Sequence, residues 1–181
     1  MPDGKVTDRA VVVRPAAPTD ATAIAGIWAP IIRDTTVTFH PHPRSPAEVA
    51  AMIADRQGAG HAFLVAEAGG GLLGFASYAQ FRPGLGYART MEHTVNLAPA
   101  VRGRGVGRAL LAAVVAHAAA AGHRGLIGAV TADNAASLGF HRRMGFAEVG
   151  RIPEAGWKFD RFHDLVLMHL RLGDDTGRAT G

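Results

Sequence analysis

Residues 92–122 read EHTVNLAPAVRGRGVGRALLAAVVAHAAAAG. A short run with β character, Thr94 to Leu97, meets a turn at Pro99. Then come Arg102-Gly103-Arg104-Gly105-Val106-Gly107-Arg108 and an apolar helical run. A strand that passes through a glycine-rich turn into a helix is a phosphate-binding device. The first N–H groups of a helix lack intrahelical partners and carry the positive end of its dipole. Glycines let the backbone approach an anion because no Cβ intervenes. Arg102, Arg104 and Arg108 add charge-assisted donors for phosphate oxygens. The segment has no Gly-Lys-Ser/Thr, so it is not a Walker A loop. Gly103, Gly105 and Gly107 depart from the dinucleotide fingerprint, and no acidic residue about 20 positions on completes a ribose site. Two alternatives stay open: a glycine-rich turn with solvated arginines, or a site for a pyrophosphate belonging neither to ATP nor to NAD.

The rest of the chain supplies a frame for that segment. Its 181 residues suit one domain with a single substantial core. With 48% hydrophobic residues the chain is expected to fold rather than stay disordered. The absence of cysteine excludes disulfides, zinc–thiolate sites and a thiol nucleophile. No apolar run resembles a signal peptide or a membrane span, since Ala109 to Ala121 is short and interrupted by His117. A cytoplasmic protein that engages no membrane is expected. The formal net charge of +4 comes from scattered arginines without interleaved aromatics. That pattern gives no nucleic-acid footprint and suits mild attraction for an anionic cofactor. Nine histidines raise the question of a metal, but no HExxH or similar spacing occurs, so none is expected.

Read in order, Met1 to Ala10 is polar and expected to fray, and Val11 to Arg14 is a short strand. Pro18-Thr19-Asp20 starts a helix with Ile24, Ile27, Trp28 and Ile31 at helical spacing, which Pro30 should kink or end. Thr35 to Phe39 is extended and exposed in character. Ser45-Pro46-Ala47-Glu48 fits a capping box opening a second helix to about Gln57. His61–Glu67 and Leu72–Phe81 form a hairpin across three glycines. Strand 90–97, helix 106–121, strand 125–131, a helix from Ala135 to Met144, a β-like run 146–152 and a long last strand 159–172 follow. The order β-α-α-β-β-β-α-β-α-β-β predicts an α/β (α+β) domain over 11–172. It would have a mixed, mainly antiparallel sheet of about seven strands, helices on both faces, and a disordered tail at 173–181.

Arg102-Gly103-Arg104-Gly105-Val106-Gly107 resembles the acetyl-CoA pyrophosphate motif of GCN5-related N-acetyltransferases (GNAT). Asn134, Ser137, His141 and Gly145-Phe146 resemble that family's second signature. A narrower resemblance is to the phosphinothricin and methionine sulfoximine/sulfone acetyltransferases. It is carried by Thr38-Phe39, Arg82, Tyr87, Thr90-Met91-Glu92-His93, His141 and the run from Glu154 to Asp164. The resemblance implies a GNAT fold, acetyl-CoA as cosubstrate, and transfer of its acetyl group to the α-amine of a small amino-acid-like compound. It also implies a homodimer. Two alternatives are acetylation of another amine, such as an antibiotic or a protein N-terminus, and a CoA-binding sensor that performs no catalysis.

An ammonium must lose a proton before it can attack a thioester. The resemblance makes Glu92 that base, directly or through a water; otherwise it is an ordinary ion-paired glutamate. His141 stands where many family members carry a tyrosine that protonates the leaving thiolate. Imidazole can act as acid or assist deprotonation, or simply pack beside the cofactor. His93 should face away from Glu92 and serve packing. Val95, Asn96 and Leu97 should face the pantetheine arm through backbone groups, and residues 102–108 the pyrophosphate. Asn134 with Ser137 should lie further along the arm, unless Asn134 is only a helix cap. Arg82 and Arg89 are candidates for an acceptor carboxylate. Tyr87 and Lys158 are candidates to close the pocket, Lys158 within its own chain or across a dimer, and Phe39 to line it or seal an interface. Phosphinothricin-type enzymes commonly carry a second arginine two positions after Arg82; here Gly84 removes that cation.

Overall fold

The computed structural model describes residues 10–173, so the expectations for segments 1–10 and 173–181 lie almost wholly outside the described residues. The elements are β1 (Val12–Pro15), α1 (Ala21–Asp34, after a 3-10 turn), α2 (Pro46–Gly58), β2 (Phe63–Ala68), β3 (Gly71–Gln80) and β4 (Thr90–Leu97). They continue with α3 (Val106–Ala120), β5 (Gly125–Thr131), α4 (Ala135–Arg143), β6 (Ala147–Lys158) and β7 (Arg161–Arg171). One seven-stranded sheet in the order β1-β2-β3-β4-β5-β7-β6 joins them. Every pairing is antiparallel except β4 with β5, which gives the mixed, mainly antiparallel sheet that the sequence order predicts.

The sheet is covered on both faces. On one, α1 and α2 press Ile24, Val49 and Ile53 against Phe63, Val65 and Phe75. On the other, α3 and α4 press Leu110, Leu111, Val114 and Leu138 against Leu64, Tyr78, Met91 and Met168. The two sets alternate along β2, as the two-residue period of a strand requires. Tyr78 satisfies its buried hydroxyl on Nδ1 of His117 at 2.8 Å, which ties α3 to the sheet. The capping box of α2 forms as expected: Glu48 N–H donates to Ser45 Oγ, and Ser45 N–H to the Glu48 carboxylate at 2.7 Å.

Three local expectations are corrected. The helix does not end at Pro30. It continues to Asp34, because Ile31 and Ile32 are buried beyond the proline and hold the last turn down. Thr35 to Phe39 is mostly half-buried rather than exposed, with only Val37 out in solvent. The run after Gly145 is longer than residues 146–152: β6 extends to Lys158. Phe159 and Asp160 form the turn to β7 at positive φ (53° and 55°) instead of opening the last strand. Glu154, also at positive φ, breaks the period of β6 where the ladder shifts between Ile152 and Gly156, so the hydrophobic alternation there is lost to sequence inspection.

Leu110 is fully buried at the centre of the α3 face. Leu110→Ala should lower the unfolding free energy by about 2–5 kcal/mol, read as a shift of the urea midpoint at constant m-value. A loss below about 1 kcal/mol would mean that α3 is not pressed on the sheet.

Candidate active site

The parallel pairing of β4 with β5 is brief. Thr90, Met91 and Glu92 face Gly125, Leu126 and Ile127, and the ladder stops there. On its other side β4 stays paired with β3 as far as Leu97, and β5 stays paired with β7 as far as Thr131. The two central strands therefore diverge, and residues 93–97 of β4 offer backbone donors and acceptors to a gap inside the sheet.

A cleft of 740 Å³ opens at the outer end of that gap. It is lined by Val95, Asn96 and Leu97 from β4, by Arg102, Gly103, Gly105, Gly107 and Arg108 from the turn into α3, and by Asn134, Ser137, Phe140, Arg143 and Met144 around α4. Ile31, Val37 and Ala136 complete it. Gly103 and Gly105 sit at φ +77° and +81°, a region that disfavours side chains, and a Cβ at either would point into open space. The first i→i−4 bond of α3 is Ala109 N–H to Gly105 O. The amides of Val106, Gly107 and Arg108 thus precede the helical ladder at the positive end of the dipole. Gly107 is also a close-approach position: a Cβ there would stand 3.2 Å from Leu97.

A second cavity of 320 Å³ occupies the inner end of the gap. It shares Val37, Val95, Asn96, Asn134 and Ser137 with the cleft, so the two are continuous. Trp28, Val37, Thr38 and Phe39 wall it from the α1 side, Gly128 to Thr131 from β5, and His141 from α4. Glu92 borders it and is half-buried; burial pushes its carboxyl above the usual glutamate range.

His93 and His141 stack at 5.1 Å, with Nε2 to Nε2 at 3.2 Å. His141 Nδ1 lies 2.7 Å from Ser137 O, and a carbonyl only accepts, so Nδ1 carries the proton. Nε2 of His141 is then a lone pair, and His93 donates to it from its own Nε2–H. This leaves His93 Nδ1 as a buried lone pair with no hydrogen-bond partner. Burial and the neighbouring ring push His93 down to about 3, and burial lowers His141, so both rings are neutral near pH 7. Gly128 makes room for them: a Cβ there would come within 2.8 Å of His141 Nε2 and 2.9 Å of His93 Nε2.

Comparison with known proteins gives this geometry a family. Residues 28–146 match the acetyltransferase (GNAT) family model. An L-methionine sulfoximine/L-methionine sulfone acetyltransferase from Pseudomonas aeruginosa is 38% identical over 161 residues, covering 88% of this chain and 94% of the relative. A phosphinothricin N-acetyltransferase from Alcaligenes faecalis is 39% identical over 170 residues, covering 92% and 86%. The chain belongs to the GNAT acetyltransferase family. A Salmonella typhimurium acetyltransferase solved with its cofactor acetyl-CoA superposes with a TM-score of 0.89 at 30% identity, covering 95% of this chain and 99% of that one. The protein is an N-acetyltransferase with acetyl-CoA as cosubstrate. Its residues fit that molecule: ladder-free amides and left-handed glycines face the cleft, and a strand edge lies open beside it.

Within this GNAT site the expected cofactor residues come together, except that Arg104 is exposed and Val106 is buried beneath the turn, neither lining the cleft. Asn134 is both cap and lining: its Oδ1 accepts Ser137 N–H at 3.1 Å, which leaves its NH₂ group as a donor. Arg82, Tyr87 and Arg89 stand exposed on the loop before β4, outside the cavity. Lys158 does not reach the site either. Its ammonium donates to the carbonyls of Ile32, Thr35 (2.7 Å) and Thr38 (2.8 Å), because α1 ends there with bare carbonyls and a negative dipole end. His93, Phe140, Arg143 and Trp28 border the two spaces without having been expected there. For Phe140 the trace was available, since 137, 140, 141 and 144 share one helical face.

His93 makes stability pH-dependent in a defined direction. Its folded pKa lies below the unfolded value near 6.5, so its contribution is present above that value and is lost as pH falls through about 3. Unfolding free energy should decline from about pH 6.5 downward, and His93→Phe should flatten that limb. An unchanged limb in urea titrations of the variant would assign the acid sensitivity elsewhere.

Proposed function

We propose that the acetyl acceptor is the α-amine of a small amino-acid-like compound, of the methionine sulfoximine, methionine sulfone or phosphinothricin type. The observation that carries this is the 320 Å³ cavity bordered by an unpaired, half-buried carboxylate and continuous with the cofactor cleft. A space walled by Trp28, Phe39 and two strand edges suits one small molecule rather than an extended peptide. The relatives named for methionine sulfoximine/sulfone and for phosphinothricin support the same class. Acetyl-CoA brings the acetyl group as a thioester.

Glu92 takes a proton from the acceptor ammonium. Its raised pKa strengthens it as a base and brings it closer to working pH. Among the residues lining the cavity there is no Lys or Arg, so no cation competes for the carboxylate. Burial lowers the pKa of His141, which keeps its ring neutral and makes it a weaker base, so the deprotonation rests on Glu92. His93 borders the cavity beside His141, with its remaining lone pair, on Nδ1, buried. Amides of β4 beside the gap serve the thioester oxygen as it gains charge. Arg82, Arg89 and Tyr87 would meet the acceptor carboxylate only by movement of their loop toward the cavity mouth.

We assign a homodimer, built on the apolar side chains that the β6–β7 hairpin exposes: Val149, Ile152, Trp157, Phe159 and Phe162. Light scattering at twice the monomer mass is the expected result. The cytoplasm, where acetyl-CoA is available, is the compartment this function requires.

Mixing the protein with acetyl-CoA and methionine sulfoximine should release free CoA, detected as thiol. Glu92→Gln should slow that turnover at least about tenfold with little change in acetyl-CoA affinity. Unaltered turnover in the variant would remove Glu92 as the base.

A further inference from the structure

Near its turn the C-terminal hairpin buries Gly156, Lys158 and His163, which no step of the transfer uses. Gly156 and His163 are register partners across β6 and β7. Phe39, which arrives from the α1–α2 connection, lies on that pair. Its ring stacks on His163 at 5.8 Å and 26°. It also covers the bare Cα of Gly156, where a Cβ would overlap Cδ2 and Cε2 of the ring. His163 is held in turn, because its Nε2–H donates to Lys158 O at 3.0 Å. Lys158 Nζ then reaches back to the carbonyls of Ile32, Thr35 and Thr38, and Thr131 Oγ1 donates to Thr36 O. The segment 35–39 is thus fastened from β5 and β6, and its other side is the wall of the acceptor cavity.

We infer that Gly156 sets the depth of the acceptor cavity through Phe39, with Lys158 as the anchor of the segment that carries the ring. Acceptor size is then selected by positioning residues that do not line the cavity. Phe39 is drawn away from the cavity because glycine leaves a seat beneath it. Any side chain at 156 removes the seat and drives the ring toward Trp28 and Glu92. The ammonium of Lys158 fixes the two ends of the segment, so the ring cannot retreat another way. The inference rests on the acceptor assignment of this cavity, but its structural consequence does not depend on which amine is used.

The test is Gly156→Ala, with Phe39→Leu in the same background. Gly156→Ala should raise KM for methionine sulfone roughly tenfold or more, with kcat within about threefold. Acetyl-CoA affinity by calorimetry should be unchanged, because the cleft residues do not move. Adding Phe39→Leu should return KM to near the wild-type value, which a generally damaged fold would not do. A crystal structure of Gly156→Ala should show the Phe39 ring displaced into the cavity; this arm stands even if methionine sulfone is not a substrate. Lys158→Met should raise KM in the same way without altering acetyl-CoA affinity. A ring still seated on residue 156, or a KM that the double variant does not restore, overturns the inference. So does misfolding that Phe39→Leu fails to relieve. An unchanged KM in Lys158→Met removes the anchor.

Discussion

The separation of β4 from β5 beyond Glu92 and Ile127 is the constraint on which the rest depends. A parallel pair in the middle of a sheet normally runs its ladder to the end, because unpaired backbone groups away from water are costly. Here the ladder stops after Thr90–Glu92 and Gly125–Ile127. Each strand remains fully tied to its outer neighbour, β4 to β3 and β5 to β7, so the opening is rigid on both sides. What fills the wedge on the α4 side is a stacked pair of imidazoles, and these fit only because residue 128 is glycine. The open strand edge then becomes a place for a molecule that can pair like a strand.

The gap also explains how residues on opposite faces of β4 share one cavity. Glu92 and His93 alternate as neighbours in a strand must: Glu92 lies among Trp28 and Phe39 from the α1 side, His93 against His141 and Phe146 from the α4 side. A closed sheet would separate them. Where the strands part, the sheet is perforated, and both side chains border the same space.

Much of this was legible in the chain. The element order is dictated by local chemistry: the Ser45–Glu48 box, the Gly69–Gly71 hairpin and the glycine-rich entry to α3 each act over a few residues. The cleft was legible for the same reason, since Gly103, Gly105 and Arg108 belong to one turn. The tertiary assignments were harder. Lys158 sits beside an aromatic run and an acidic residue, and nothing local indicates that carbonyls at and just past the end of α1, some 120 residues away, await its ammonium. His93 shows the same limit. Alternation correctly turns it away from Glu92, but its meeting with His141 depends on the split of the sheet and on an absent side chain at 128. Pro30 leaves a kink or a stop equally open in the sequence, and the burial of Ile31 and Ile32 is what carries the helix past it.

The diversion of Lys158 has a consequence for the chemistry. Glu92 owes its raised pKa to burial, with no charged partner contributing. A lysine ammonium in the cavity would favour the charged carboxylate and weaken it as a base, and each unit of pKa is worth about 1.4 kcal/mol. Spending the ammonium on helix-end carbonyls keeps this cation out of the cavity while still using it to hold the cavity wall. The histidine pair follows the same logic, since two rings in mutual contact and out of water stay neutral and add no positive charge beside the carboxylate.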